Sequence, residues 1–363
     1  MHSLHTTRNA ASSLFHNTPD FSSFGPVGYI CPVASSRLKG FIGGGISTTG
    51  AIIPISDSGH ISFFTGVIRE GIHRVETAND ISRLTVRTVV SNSALEILEP
   101  ELLKVGATVE AKIPINDSYQ IIYIGYNSLH RQLSEIRRDS YHSTIDTLLG
   151  EHAVQPGLMD LARRIAAHRD DYHVSILNGN GRDLSGHEIE STKLLLSTFG
   201  YDGAQAEQLI QNKQNLIGLL YETRGSERSI VGISVIEARN IMLDTGEIIR
   251  IAEITDGTIA NNHQGKNLYS RLLLDMFNHI SETPDCFDLL IAESNIESAS
   301  LLRTAAAQGR VFSGILPNHA LIAGSAGTLE FKSLVVNYLT PELLRSFSEA
   351  INLAMYSYDV VRR

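Results

Sequence analysis

The hydrophobic pattern changes twice within residues 253–277, EITDGTIANNHQGKNLYSRLLLDMF. Strand-forming residues open this stretch, and a polar run that contains Gln264, Gly265, Lys266 and Asn267 follows them. Apolar residues then recur at a helical spacing, which places them on one face of a helix. These residues are Tyr269, Leu272, Leu273, Met276, Phe277 and Ile280. The pattern therefore predicts a strand, a polar loop and an amphipathic helix that packs on a sheet.

The same kind of pattern predicts an α/β protein in three parts. Residues 1–39 read as a loose N-terminal arm that is rich in Ser, Thr and His. Residues 40–180 form a smaller α/β domain, whose charged stretch 128–172 is typical of a solvated helical connector. Residues 181–363 alternate between helices and strands and form the larger, C-terminal domain.

The bulk composition narrows the classes of function. A length of 363 residues is enough for two or three domains. The net charge of −9 leaves no basic surplus for general binding of nucleic acid. The two cysteines, Cys31 and Cys286, form neither a CxxC pair nor a disulfide framework, so reducing, cytoplasmic conditions are expected.

Targeting and metal signals are weak. No apolar run reaches the roughly 18 residues of a membrane-spanning helix. The N-terminal residues lack the apolar core of a secretory signal, and their Ser-rich, weakly basic composition leaves a transit peptide as the alternative to a loose arm. The histidines are scattered, and HEIES (187–191) lacks the second histidine of the HExxH motif, so no metal is expected.

The polar loop has the features of a phosphate-binding turn. The first turn of a helix carries backbone N–H groups without intrahelical partners and the positive end of the helix dipole. Gly265 permits positive φ and close backbone approach, Asn267 tolerates the left-handed conformation, and Lys266 adds a positive charge. These features favour a phosphate or pyrophosphate at the turn. An ordinary strand–loop–helix turn with one glycine is the alternative.

The order strand, loop, helix, strand, helix and strand, together with QGKNLY in the loop, resembles the GNAT superfamily of acyl-CoA-dependent N-acyltransferases. The loop of that family reads Arg/Gln-x-x-Gly-x-Gly/Ala. Gln264 matches its first position, Asn267 replaces the middle glycine, and Tyr269 replaces the last small residue.

Four segments are similar to one branch of that superfamily, the β-lysine N-acetyltransferases. The segments are AEITDGTIANNHQGKNL, IAESNIESASLL, GRVFSGILPNHALIAG and LEFKSLVV. The matching positions are Glu253, Thr255, Asp256, Gly314, Leu316 and Asn318. The segment VGATVEAKIPIND extends the resemblance upstream, so that it covers residues 80–340 in outline.

The resemblance implies a fold and a co-substrate. The C-terminal domain would be a mixed sheet flanked by helices, and acetyl-CoA or another acyl-CoA would be the acyl donor. The main chain of Thr258, Ile259 and Ala260 would pair with the pantetheine amides. The N–H groups of the loop would hold the pyrophosphate, and they belong to Gln264, Gly265, Lys266, Asn267, Leu268 and Tyr269. The N-terminal domain would be a degenerate copy, since its strand–helix–strand at 82–114 echoes the one at 287–316.

The implied reaction is direct attack of an amine on the thioester in a ternary complex. Glu253, Asp256 and His263 are the candidates for proton transfer, with a strand-end acid or a polar loop residue as the alternative reading of each. Glu253, Asn295 and Asn318 are the candidates for substrate binding. Many members of the family use a Tyr on the helix after the fifth strand as an acid, and the corresponding helix ESASLLRTAAAQG has none. That role is vacant, taken by water, or supplied from elsewhere.

The resulting expectation is acetyl transfer from acetyl-CoA to the amine of a small amino-acid-like substrate. The alternatives are a carrier-bound or peptide-bound amine, a longer acyl group, and a non-catalytic protein that uses the same cleft for binding. No nucleic-acid or membrane partner is expected, and an oligomer is possible.

Overall fold

The structure is a computed structural model. It describes residues 29–30, 41–44, 46–47, 54–77, 83–128, 134–149, 154–167, 171–178, 184–198, 202–213, 215–224, 227–243, 245–283, 287–323 and 329–362. Most of the predicted arm 1–39 lies outside these residues, as do Cys31 and Cys286.

The described residues form thirteen strands, nine α-helices and a short 3-10 turn at Asn261–His263. The strands are β1 (Tyr29–Ile30), β2 (Phe41–Gly44), β3 (Ile46–Ser47), β4 (Arg83–Ser91), β5 (Thr108–Pro114), β6 (Tyr119–Asn127), β7 (Tyr172–Asn178), β8 (Leu216–Arg224), β9 (Glu227–Met242), β10 (Ile248–Ile259), β11 (Leu289–Asn295), β12 (Val311–Ala323) and β13 (Leu329–Leu339). The helices are α1 (Ser58–Thr77), α2 (Asn92–Lys104), α3 (Glu135–Leu149), α4 (Val154–Ala166), α5 (Gly186–Ser197), α6 (Gly203–Gln211), α7 (Leu268–Glu282), α8 (Ala299–Ala307) and α9 (Pro341–Arg362).

The chain divides into two compact units. The first unit comprises the described parts of residues 1–134, 240–249 and 314–334, and the second comprises those of residues 135–239, 250–313 and 335–363. The domain boundaries expected from the sequence stay a prediction.

In the first unit, β2 runs parallel to β4, and β4 and β5 both pair antiparallel with β6, which gives the order β2-β4-β6-β5. Helix α1 connects the two parallel strands, as a crossover connection requires. Helices α1 and α2 bury their apolar faces against these strands in one hydrophobic cluster. Its members include Phe64 and Ile68 of α1 and Leu98 and Leu102 of α2.

The second unit is built on a mixed sheet flanked by helices, as predicted. Strands β7, β8 and β9 pair antiparallel, and β10 pairs parallel with β11. Helices α4, α7 and α9 share one hydrophobic cluster, and α5 and α6 share another. Strand β8 shows that the clusters lie on opposite faces, because Leu220 belongs to the first and Leu219 to the second.

The strand order repeats within the chain. The elements β2-α1-β4-α2-β5-β6 take the strand order β2-β4-β6-β5, and the elements β10-α7-β11-α8-β12-β13 take the order β10-β11-β13-β12. In each run the first two strands are parallel neighbours, and the last strand lies between the two before it. That the N-terminal region is a degenerate copy of the C-terminal domain stays a prediction.

The strand, loop and helix predicted for residues 253–277 are confirmed by β10, the turn Asn261–His263 and α7. The predicted apolar face of α7 is buried at Leu272, Met276 and Phe277. The reading of residues 128–172 as a solvated connector was wrong for α4, because its Leu161, Ala162 and Ile165 belong to the core of the second unit. Arg163 and Arg164 of α4 made the stretch look solvated, although they occupy only its exposed side.

A buried ion pair holds four strands of the first unit together. Arg83 is fully buried and binds the carboxylate of Glu110, which occupies a bulge in β5. Arg83 also donates to Asn127 Oδ1 at 2.8 Å and to the carbonyl oxygen of Pro317 at 2.9 Å. Gly125 of β6 leaves the space for the carboxylate, because a methyl group there would overlap it.

We predict that Glu110→Gln lowers the free energy of unfolding by about 3–5 kcal/mol, because it leaves the buried Arg83 charge uncompensated. Urea denaturation would measure this change. Lys112→Gln is the matched control, because Lys112 lies on the same strand as Glu110. It forms an exposed pair with Glu99 of α2, and its loss should cost about 0–1 kcal/mol. Equal effects of the two substitutions would contradict the assigned role of the buried pair.

Candidate functional site

Strand β10 separates from its parallel neighbour β11 before either strand ends. Their register runs from Ile251 opposite Leu289 to Ile254 opposite Ala292. Strand β10 then continues to Ile259. The described strands therefore open beyond Ile254, towards the loop that precedes α7.

An irregularity in β10 coincides with this opening. Ile254 belongs to the apolar cluster of α7, and Gly257 also faces α7, because a methyl group on it would overlap the ring of Tyr269. Residues three positions apart face opposite sides of a regular strand. The chain between Ile254 and Gly257 therefore contains a bulge, which bends a strand and ends its pairing.

The bulge decides which backbone groups face the opening. Ala260 N–H donates to the carbonyl oxygen of Val231 in β9 at 2.8 Å, so Ala260 and Thr258 turn their polar groups towards β9. Gly257 and Ile259 turn theirs towards the opening, where the Ile259 carbonyl accepts from Gln264 Nε2 at 3.0 Å. Among the residues expected to pair with pantetheine, the geometry thus favours Ile259 over Thr258 and Ala260. It adds Gly257, whose sequence signal is a glycine inside a strand.

The loop before α7 adopts the left-handed conformations that its sequence permits. Gly265 has φ +83°, and Asn267, the residue before α7, has φ +56° and ψ +23°. In the described part of the chain no side chain caps the first turn of α7. By contrast, α2 is capped by Ser91 and α5 by a capping box of Ser185 and Glu188, whereas α8 likewise has no side-chain cap among the described residues. The start of α7 is therefore suited to bind an external anion.

A buried polar network fastens this loop to β7 and β8. His263 Nδ1 lies 3.0 Å from the hydroxyl of Tyr172 and 3.8 Å from Glu222 Oε1, and both rings are buried. Lys266 Nζ donates to the same hydroxyl at 2.9 Å. These surroundings favour a structural role for His263, and its role in proton transfer stays a prediction.

The ammonium group of Lys266 stays charged in this arrangement. The hydrogen bond to Tyr172 raises its pKa above the ordinary value, and the nearby carboxylates of Glu222 and Asp171 act in the same direction. The predicted cofactor-binding residues Gln264, Gly265, Lys266, Asn267, Leu268 and Tyr269 thus form one continuous turn with a permanent positive charge.

The predicted acidic and amide residues lie in different surroundings. Glu253 is half-buried and pairs in register with Ile291, so it shares a face with Asn295. Asn295 Oδ1 accepts from Glu297 N–H at 3.0 Å in the turn that begins α8. Asn318 belongs to the first unit, has φ +46° and donates its N–H to Ser333 Oγ at 2.9 Å. The side chain of Asp256 lies outside the described part of the structure.

A buried polar group beneath α7 was missed by the sequence reading. Arg310, directly before β12, donates to Gln308 Oε1 at 2.7 Å and to Asn337 Oδ1 at 3.1 Å. Its guanidinium lies 5.8 Å from the ring centre of Phe277 in α7. Burial lowers the pKa of Arg310 to about 10, and the Tyr269 phenol acts against this lowering. No sequence motif marks this residue, because its partners come from three different elements.

The described residues contain no group of three or more His, Cys, Asp or Glu side chains arranged to hold a metal ion. None of their helices combines the length and apolar character that crossing a bilayer requires.

Comparison with known sequences gives no match, either to a protein-family model or to a curated protein. Comparison with solved structures finds N-acetyltransferases. The ribosomal-protein-S18-alanine N-acetyltransferase from Escherichia coli aligns with 46% of this chain and 94% of its own, at 13% identity and a TM-score of 0.35. NAA60 from Arabidopsis thaliana in complex with acetyl-CoA aligns with 47% of this chain and 98% of its own, at 9% identity and a TM-score of 0.38.

A third similar structure is an acetyltransferase from Bacillus subtilis in complex with CoA. It aligns with 47% of this chain and 98% of its own, at 15% identity and a TM-score of 0.33.

We predict that Asn267→Ala lowers the free energy of unfolding by about 1–2 kcal/mol, because alanine is strained in the left-handed conformation. Asn267→Gly is the matched control and should keep the stability near that of the unchanged protein, since glycine adopts this conformation readily. Urea denaturation of the two variants side by side checks the prediction. Equal stability of both variants would show that the left-handed conformation does not constrain the position.

Proposed function

We propose that the second unit is an acyl-CoA-dependent N-acyltransferase that transfers the acetyl group of acetyl-CoA to an amine. The observation that carries this proposal is the combination of an uncapped helix start with an opened strand. The loop with left-handed Gly265 and Asn267 leads into α7, and it directly follows the part of β10 that has left β11. This arrangement suits a ligand that has both a diphosphate and an amide-containing arm.

The residues present fit coenzyme A at two places. The first-turn N–H groups of α7 and the charge of Lys266 suit its diphosphate. The backbone groups of Gly257 and Ile259 face the opening and suit the amides of its pantetheine arm, as an added strand would. The thioester supplies the activated acyl group.

The corresponding helix of the first unit lacks such an anion site. Asp57 precedes α1, and its Oδ1 accepts from His60 N–H at 2.8 Å. A carboxylate of the chain thus already occupies the helix start, where it would repel a phosphate. We therefore assign the acyl donor to the second unit alone.

The amine must lose a proton before it attacks, because an alkylammonium group has a pKa near 10. Glu253 is the residue we assign to this step. It lies in the paired part of β10, two residues before the bulge, on the face opposite α7. A carboxylate there could hold the ammonium group and accept its proton directly or through water. Asp256 and His263 are the remaining candidates.

For the acceptor, the resemblance to the β-lysine N-acetyltransferases motivates a small amino-acid-like amine. Asn295 shares the face of Glu253, and we assign both residues to the acceptor side. Asn318 is assigned to the acceptor on the resemblance alone. A carrier-bound or peptide-bound amine, or a longer acyl group, would be distinguished by the substrate screen below.

We predict that acetyl-CoA binds the full chain with one site per chain, measured by titration calorimetry. Lys266→Ala should weaken this binding roughly tenfold, because it removes one charge-assisted contact with phosphate. Lys213→Ala removes the same charge from an exposed position at the end of α6 and should leave the affinity unchanged. No binding to the folded protein at millimolar acetyl-CoA would overturn the proposed function.

A substrate screen then separates the acceptors. Release of the coenzyme A thiol would be followed with free amino acids and diamines, with short peptides, and with carrier-bound amines. We expect turnover with lysine-like diamines, and Glu253→Gln should reduce kcat by roughly 100-fold if it acts as the base. Tight binding of acetyl-CoA without turnover of any amine would instead indicate a protein that only binds the acyl donor.

A further inference from the structure

Tyr172 connects the start of β7 with the polar loop before α7. It is the first residue of β7, where it pairs in register with Glu222 of β8. Its side chain is buried, and it belongs to the hydrophobic cluster that includes the apolar face of α7. The ring therefore has a fixed place on the face of the sheet that carries α7.

The hydroxyl of Tyr172 has a defined direction because its two partners have opposite roles. Lys266 Nζ lies 2.9 Å away, and an ammonium group can only donate, so the hydroxyl oxygen accepts this hydrogen bond. The hydroxyl proton is then donated to His263 Nδ1 at 3.0 Å, so a neutral His263 carries its own proton on Nε2. His263 is also buried, and its ring meets that of Tyr172 edge-on, with 5.9 Å between the ring centres. These contacts form a chain from His263 through Tyr172 to the ammonium group of Lys266.

The ammonium group of Lys266 is held in place beside the start of α7. Lys266 precedes Asn267, the residue before the helix, and its Nζ lies 5.5 Å from the centre of the Tyr172 ring. Within the part of the chain that the structure describes, the Tyr172 hydroxyl is its hydrogen-bond partner, so two of its three N–H donors remain for a ligand. A lysine side chain loses much rotamer freedom when it is fixed, and a lysine fixed in advance avoids this loss when a ligand binds.

We propose, on the basis of the proposed function, that Tyr172 is a positioning residue for the acyl donor. It acts through Lys266, whose ammonium group it holds beside the helix start for the diphosphate of coenzyme A. His263 accepts the Tyr172 proton and so fixes the direction of the hydroxyl. The affinity for the donor thus depends on a residue of β7, which lies three strands away from β10 in the sheet.

Removal of the Tyr172 hydroxyl tests this role. Tyr172→Phe keeps the packed ring, and we expect the full chain to bind acetyl-CoA roughly fivefold more weakly in titration calorimetry, because Lys266 must then be fixed during binding. In the Lys266→Ala background the same change should leave the affinity unaltered, because two residues that act as a unit do not have additive effects. Equal losses in the two backgrounds would overturn the proposed action through Lys266.

Tyr221 of β8 is the matched control, because it is also a buried tyrosine with a hydrogen-bonded hydroxyl. It donates to Glu188 Oε1 at 2.9 Å and belongs to the hydrophobic cluster of α5 and α6, on the other face of the sheet. Tyr221→Phe should therefore leave the affinity for acetyl-CoA unchanged. An equal loss in Tyr221→Phe and Tyr172→Phe would show a general effect of a lost buried hydroxyl and would overturn the inference.

Kinetics separate positioning from catalysis. A contact that is equally strong in the ground state and the transition state affects KM and leaves kcat unaltered. With an amine that the protein acylates, Tyr172→Phe should therefore raise KM for acetyl-CoA and leave kcat unchanged. A fall in kcat at unchanged KM would overturn the assigned role.

The position of Lys266 can also be measured without any change at Tyr172. In NMR spectra of the chain with isotope-labelled lysine, the ammonium signal of Lys266 is assigned by its loss in Lys266→Ala. Without ligand, its protons should exchange with water more slowly than those of the exposed Lys213. Equal exchange rates would overturn the role of Tyr172, and this measurement applies even if Tyr172→Phe does not fold.

The outcomes separate this inference from the proposed function. Unchanged affinity for acetyl-CoA in Tyr172→Phe would overturn the role of Tyr172 and leave the acyltransferase proposal standing. Failure of the unchanged protein to bind acetyl-CoA would overturn the proposed function, and the role of Tyr172 with it.

Discussion

The separation of β10 from β11 is the constraint on which the candidate site depends. Backbone polar groups inside a protein need partners, and a strand that leaves its neighbour exposes one row of them. The bulge between Ile254 and Gly257 ends the pairing and re-aims the backbone beyond it. The side chain of Gln264 satisfies the Ile259 carbonyl, so the loop that suits the diphosphate also stabilises the opened edge. The opening and the anion site are therefore parts of one local structure.

The two units share a strand order but differ in how their helix starts are capped and in their buried polar groups. Around α7 the helix start carries no side-chain cap, whereas around α1 the carboxylate of Asp57 is the cap. In the first unit the buried polar groups centre on Arg83 and Glu110, which satisfy each other. In the second unit the buried Arg310 donates to the neutral amide oxygens of Gln308 and Asn337 instead of a carboxylate. Similar topology thus carries a buried ion pair in one unit and a buried cation with amide partners in the other.

Several features of the site could be predicted because they depend on neighbours in sequence. The apolar face of α7 follows from helical spacing alone, and the left-handed conformation of Asn267 follows from its residue type. The bulge could not be predicted, because a strand with one extra residue keeps the same composition. The Tyr172–His263 contact joins residues 91 positions apart, and nothing in either local sequence indicates the other. For the same reason the burial of α4 was missed.

The sequence by itself determined the local elements of this protein: the strand, the polar loop and the amphipathic helix around residues 253–277, and the residue types able to form a phosphate-binding turn. Propensity and side-chain periodicity are short-range properties, so they can be read from one segment at a time. Only the tertiary structure decided which edge of β10 is open, which backbone groups face it, and that the ring of Tyr269 lies on Gly257 there. Those relations depend on strand register and on packing between distant segments, which no single segment encodes.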